Sequence, residues 1–138
     1  MPSDAGIEVE PGGVLVVDGA KIYNKCEDAY WQGITVKGDG QQLTNSGIVQ
    51  IQPGSIIERA RQPVFSDQGG IVLAYSSDIL NSGEVKFQDF ERYNLSRFTG
   101  CHFERNEGFV DFAGPNEPWP NQVSLLNIRA LAVSGCTF

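Results

Sequence analysis

Residues 99–103 read "TGCHF", and residues 134–138 read "SGCTF". Two earlier stretches, "DGAKI" and "PGSII", share the same order of a glycine, a small residue, any residue and an apolar residue. A phrase that recurs at a period of roughly 20 to 50 residues indicates stacked structural repeats. The four phrases are led by Gly19, Gly54, Gly100 and Gly135, at spacings of 35, 46 and 35 residues.

The segments between these turns have the character of β-strands. Short runs such as "GVLVV", "GIVQI", "NLSRF" and "RALAV" precede the first phrase, and a second phrase, "WQGITV", "QGGIVL" and "NEGFVDF", also recurs. These runs are β-branched or apolar and are bounded by turn-forming residues. No stretch keeps the spacing of an amphipathic helix for more than one turn. The second phrase is led by Gly33, Gly70 and Gly108, at spacings of 37 and 38 residues.

The repeats therefore predict an all-β fold. We expect residues 1–138 to form a single domain, a right-handed single-stranded parallel β-helix (a solenoid) of about four rungs, with the handedness that crossover connections prefer. The alternative is an antiparallel sandwich, which also uses many short strands. A sandwich, however, gives no reason to reuse one turn four times.

Strand alternation assigns a direction to each side chain in the turn phrases. Cys101 and Phe103 share one face and His102 takes the other, because successive side chains of a strand point to opposite faces. We expect the cysteines to be small buried fillers of the core. A disulfide between Cys101 and Cys136 is possible but disfavoured, because stacked side chains keep their Cβ atoms about 4.8 Å apart and a disulfide prefers about 3.8 Å. The inward columns are Ala20, Ser55, Cys101, Cys136 and Ile22, Ile57, Phe103, Phe138, and the outward column is Lys21, Ile56, His102, Thr137.

Composition narrows the classes of function. The net charge of −7 disfavours binding to nucleic acid and to anionic membrane surfaces. No apolar run approaches the roughly 18 residues of a membrane-spanning helix, so we expect no membrane insertion. Three cysteines are too few and odd in number for a disulfide framework, and no spacing typical of a metal site is present. We therefore predict no metal centre.

Five stretches taken together resemble a known family. "EPGGVLVVDGAKIYN", "WQGITVKGDG", "GIVQIQPGSIIERA", "GGIVLA" and "SRFTGCHFERN" are similar to the pectate-lyase-like parallel β-helix repeat region of secreted bacterial surface proteins, many of which are exported by the type IX system. The resemblance covers nearly the whole chain. It implies an extracellular or cell-surface location, adjoining domains in a larger parent protein, and a structural or adhesive role.

The residues also offer candidate sites for two functions. Acidic residues in "CHFERNEGFVDF" make Glu107 and Asp111 candidate catalytic residues of a polysaccharide lyase or glycoside hydrolase, or ligands for Ca²⁺. Trp119, in a loop rich in proline and asparagine, is a candidate for stacking on a sugar. The first expectation is a non-catalytic structural or adhesive domain that contacts a polysaccharide or another cell-surface ligand, without a cofactor. The enzyme is the alternative.

Overall fold

The structure, a computed structural model, describes residues 2–26, 29–40, 42–105 and 122–138. Within these ranges the chain forms twelve β-strands and a single turn of 3-10 helix at Leu43–Asn45. The strands are β1 (Gly6–Val9), β2 (Val14–Val17), β3 (Lys21–Ile22), β4 (Trp31–Lys37), β5 (Ile48–Ile51), β6 (Ile56–Glu58), β7 (Ala60–Asp67), β8 (Ile71–Tyr75), β9 (Asp78–Leu80), β10 (Val85–Thr99), β11 (His102–Glu104) and β12 (Val123–Ser134).

The strands stack on three sides of the molecule. The first side contains β1, β4, β7 and the beginnings of β10 and β12, and the second side contains β2, β5, β8 and the ends of β10 and β12. Because β10 and β12 continue around the corner, these two sides form one hydrogen-bonded sheet. The third side is a separate sheet of β3, β6, β9 and β11, to which Thr137 adds a bridge with His102. The chain visits the three sides in the same order each time, as a solenoid does.

Every described strand pair is parallel, which confirms the all-β class and excludes the antiparallel sandwich for the described residues. Parallel neighbours in register place like positions of successive coils above one another. The architecture is compatible with a parallel β-helix. Among the described residues no helix is long and apolar enough to span a membrane.

The core is built from the inward columns of the three sides. On the third side, Ile57 and Ile79 lie below Phe103, and all three side chains are buried. The ring of Phe103 stacks on Phe138 with a centroid distance of 4.9 Å and packs at 5.8 Å against Phe98 from the second side. Burying aliphatic and aromatic side chains of this size stabilises the fold by about 1.5–3 kcal/mol each. The predicted register is confirmed in the middle coils, since Cys101 and Phe103 are buried while the His102 side chain is 44% exposed. Ala20 and Phe138, which were expected to face inward as well, are exposed because they lie on the first and last described coils of the third side.

One level of the third side does not follow the glycine pattern. Strand β9 lies between β6 and β11, with Ile79 opposite both Ile57 and Phe103. The corner residue before it is Ser76, which adopts a left-handed φ of 41°, whereas Gly54 and Gly100 have φ of 80° and 64°. Ser76 takes part in the hydrogen bonds that link the corners of successive coils, because its carbonyl accepts from Gly54 N–H and its own N–H donates to Thr99 O. The spacing of 46 residues between Gly54 and Gly100 therefore contains a coil whose corner is not a glycine.

The strand pairing of this coil differs from the one expected for the second recurring phrase. The expected equivalence of "WQGITV" and "QGGIVL" is wrong, because Trp31–Lys37 pairs with β7 on the first side while Ile71–Tyr75 pairs with β5 on the second. Ile71 lies opposite Ile48, so "GIVLA" belongs to the series of "GVLVV" and "GIVQI". Trp31, the first residue of β4, is fully buried, and its indole N–H donates to Glu58 O at 2.9 Å.

The corner geometry predicts opposite effects for two substitutions. Ser76→Gly should raise the free energy of unfolding by roughly 0.5–1 kcal/mol, because relief of left-handed strain (about 1–2 kcal/mol) exceeds the extra unfolded-state entropy of glycine (about 0.4–1 kcal/mol). Gly54→Ala should lower the free energy of unfolding by a similar amount, because alanine would bear the same left-handed backbone strain. A steric clash would not add to this effect, since a Cβ at Gly54 would meet no atom within 4 Å. Urea unfolding measures both. Changes of the same sign in the two variants would contradict the equivalence of the two corners.

Candidate functional site

The outer surface of the third side carries a row of polar side chains. Asp78, His102 and Thr137 occupy the same outward position of successive coils, because Asp78 is the register partner of His102 and His102 bridges to Thr137. Glu104 lies two residues beyond His102 and points outward as well, by strand alternation. We refer to Asp78, His102, Glu104 and Thr137 as the outer polar row.

His102 is held by hydrogen bonds on both ring nitrogens. Its Nδ1 lies 2.6 Å from Thr137 Oγ1, and its Nε2 lies 2.9 Å from Glu104 Oε2. Both side chains of the His102–Glu104 pair are about half exposed, so solvent screens the interaction and its contribution to stability is small. The histidine that the sequence predicted to face solvent does so, but its ring orientation is set by two neighbours.

These contacts decide the roles of the two nitrogens in the neutral ring. An ionised carboxylate only accepts hydrogen bonds, so Nε2 must carry the proton that points to Glu104. The other nitrogen, Nδ1, is then an acceptor, and the Thr137 hydroxyl donates to it. A carboxylate, an imidazole and a hydroxyl in series are the groups that general-base catalysis combines, and they are equally suited to bind the hydroxyl groups of a ligand.

An ion pair between Lys21 and Glu58 lies at the other end of the third side. Lys21 Nζ lies 2.8 Å from Glu58 Oε2 and also stands 4.8 Å from the centre of the Tyr23 ring. This pair joins β3 to β6, one coil to the next. Glu58 is mostly buried, with 16% of its side chain exposed, whereas Lys21 is 46% exposed. Acidic and basic groups thus extend along several coils of the outer surface.

A small crevice adjoins the outer polar row. Its lining includes the apolar side chains of Ile79 and Phe103 and the polar side chains of Glu104, Arg105 and Gln122. Arg105 is fixed in direction because its Nε–H donates to Ser82 O at 3.0 Å. The crevice is too small to enclose a sugar, so a ligand on this surface would lie across it rather than within it.

The three candidate residues from the sequence, Glu107, Asp111 and Trp119, lie outside the described residues. Glu104 and Arg105, which precede them, are described and belong to the outer polar row and the crevice. The sequence did not identify Asp78 as a neighbour of His102. The signal was present in "SSDIL", which matches the turn phrase once a residue other than glycine is allowed at the left-handed corner.

A second charged cluster lies on the first side. Lys37 Nζ contacts the carboxylates of Glu8 and Glu10 and so ties β4 to β1 and the residue after it. The hydrogen bond from Lys37 lowers the pKa of Glu8, and the hydrogen bond to Glu8 raises the pKa of Lys37. All of these groups are at the surface. We interpret the cluster as a link between the first two coils.

Neither a metal-binding cluster among the described residues nor a similar known protein identifies a ligand for this surface. Among the described residues no group of three or more His, Cys, Asp or Glu side chains is placed to hold a metal ion. Comparisons with protein-family models, with curated proteins and with solved structures found no match for this chain.

The contacts of His102 predict its tautomer. At a pH where the imidazole is neutral, His102 should carry its proton on Nε2, because Glu104 can only accept and Thr137 can donate. Long-range ¹H–¹⁵N spectra of the ring distinguish the two tautomers directly. Glu104→Gln should reduce the excess of the Nε2–H form, since an amide can also donate, while Glu58→Gln is a matched control that should leave it unchanged. A dominant Nδ1–H tautomer in the unaltered protein would contradict the described hydrogen bonds.

Proposed function

We propose that this chain is a non-catalytic β-helix domain of a secreted bacterial surface protein, in which a rigid stack displays a ligand-contacting surface. In this proposal the helix is right-handed and single-stranded, and the described residues make five coils. The resemblance of the sequence to the repeat region of type IX-exported surface proteins supports an extracellular location. Adjoining domains of a parent protein would continue the structure on either side.

The outer polar row is the observation that carries the binding part of the proposal. Side chains at equal register on stacked strands stand about 4.8 Å apart, so the row offers hydrogen-bonding groups at regular intervals on a firm support. His102, Glu104 and Thr137 are already oriented by one another, which reduces the entropy cost of binding. A polysaccharide presents hydroxyl groups along an extended chain, and such groups can both donate to a carboxylate and accept from an imidazole.

A second candidate function is a polysaccharide lyase or glycoside hydrolase. It is favoured by the presence of acids and a base on neighbouring strands, with Glu58 on β6, Asp78 on β9, and His102 with Glu104 on β11. Such enzymes need an acid or a base within reach of the scissile bond. The outer polar row, however, is open to solvent, and water-exposed charges stabilise a transition state weakly. We therefore prefer binding to catalysis.

Binding should be measured against a panel of neutral and acidic polysaccharides, with and without Ca²⁺. We expect His102→Ala and Glu104→Gln to weaken binding at least about tenfold, the loss of one or two hydrogen bonds to charged groups. Gln50→Ala, on the outer surface of the second side, is the matched control and should leave the affinity unchanged. Trp119→Ala tests the predicted sugar-stacking residue in the same assay.

Two results would overturn parts of this proposal. Equal affinity in all variants would remove the outer polar row from the binding surface. Release of unsaturated or reducing ends from any polysaccharide, abolished by Asp78→Asn, Glu107→Gln or Asp111→Asn, would replace the binding domain with the enzyme.

A further inference from the structure

Two cysteines lie directly opposite each other in neighbouring coils. The bridge between His102 and Thr137 sets the register, so the residues before them, Cys101 and Cys136, are equivalent corner positions. Thr137 N–H donates to Cys101 O at 3.0 Å, which holds the two corners together at the cysteines themselves. Both cysteines follow a left-handed glycine and both have free thiols in this structure.

The separation of the two residues suits a covalent link. Stacked parallel strands place register partners about 4.8 Å apart, which lies inside the roughly 4.4–6.8 Å range of Cα separations in disulfides. The Cβ atoms of strictly parallel side chains would be about 0.3 Å beyond the upper end of the usual range of roughly 4.5 Å. The Cys136 side chain already points toward the neighbouring coil, because its Sγ accepts a hydrogen bond from Cys101 N–H at 3.3 Å. The adjustment that remains is a rotation of the two side chains together with a backbone shift of a few tenths of an ångström, which brings the Cβ atoms within about 4.5 Å.

The two thiols differ in their access to solvent. Cys101 is 1% exposed, and its thiol lies 3.6 Å from Ser77 Oγ and 3.7 Å from Thr99 O. Burial raises the pKa of this thiol, so it is a poor first nucleophile. Cys136 is only half-buried and lies on the last described coil, where a reagent can reach it. The pair therefore has one accessible and one protected member.

We propose that Cys101 and Cys136 form an oxidisable pair, in which a disulfide fastens the coil of β12 to the coil of β10 and β11. The oxidant is a small-molecule disulfide. The Cys136 thiolate attacks one of its sulfur atoms and expels a thiolate, which leaves a mixed disulfide on Cys136. The Cys101 thiolate then attacks Cys136 Sγ and expels the second small thiolate. The two cysteines lose two electrons and two protons, and the small disulfide is reduced to two thiols.

The site is independent of the proposed carbohydrate contact, since both thiols face the core side of the strand.

The test uses the full chain with Cys26→Ser, which removes the exposed third cysteine. The folded protein is incubated with oxidised glutathione and then analysed for free thiols, intact mass and disulfide-linked peptides. We expect loss of both thiols, a mass lower by two hydrogen atoms, and one peptide pair joining Cys101 to Cys136. Hydrogen exchange in Val123–Ser134 should become slower in the oxidised protein, because the link opposes opening of that coil.

Single variants separate this result from ordinary thiol reactivity. With Cys101→Ser, Cys136 should stop at the glutathione adduct, and with Cys136→Ser, Cys101 should remain a free thiol in the folded protein. A stable glutathione adduct on Cys136 while Cys101 is present would overturn the proposal, as would two unreacted thiols in the folded chain.

Discussion

Parallel, in-register hydrogen bonding between successive coils is the constraint on which the rest of this structure depends. Once a segment pairs with the equivalent segment of the previous coil, every side chain is placed above its counterpart, and the core must be filled by columns of like character. The column of Ile57, Ile79 and Phe103 satisfies this on the third side, and Val49 and Val72 do so on the second. The same constraint sets the outer surface, where Asp78, His102 and Thr137 meet only because their strands are in register.

The corners are the second requirement, because a coil can stack only if its strands turn at matching places. Between the second and third sides the turn needs a left-handed residue, which glycine adopts at little cost. Ser76 meets this requirement with a strained backbone, and the hydrogen bonds above and below it hold it in place. In the middle coils the small residue after the corner then points into the core, which is why Ser55, Ser77 and Cys101 are all buried. Cysteine at two successive levels of this column creates the oxidisable pair.

Much of this could be predicted from the sequence, since the phrases around Gly54 and Gly100 contain both the corner and the register. The inward direction of Cys101 and Phe103 and the outward direction of His102 follow from alternation alone. The coil of Ser76 was missed because a pattern that requires glycine cannot detect a strained substitute. Without that coil, the sequence pattern did not place Asp78 next to His102. The hydrogen bonds of His102 depend on side-chain rotamers, which no sequence pattern specifies. The roles of Glu107, Asp111 and Trp119 stay predictions, because they lie outside the described residues.

The central claim, that a coil lies between those of Ile57 and Phe103, can be tested with nuclear Overhauser effects in protein labelled on isoleucine methyl and phenylalanine ring groups. Neighbouring levels stand about 4.8 Å apart, and levels separated by one coil stand about 9.6 Å apart. We expect the Ile79 methyl groups to show cross-peaks both to Ile57 and to the Phe103 ring, and Ile57 to show none to Phe103. A direct cross-peak between Ile57 and Phe103, with Ile79 contacting neither, would contradict the stacking order.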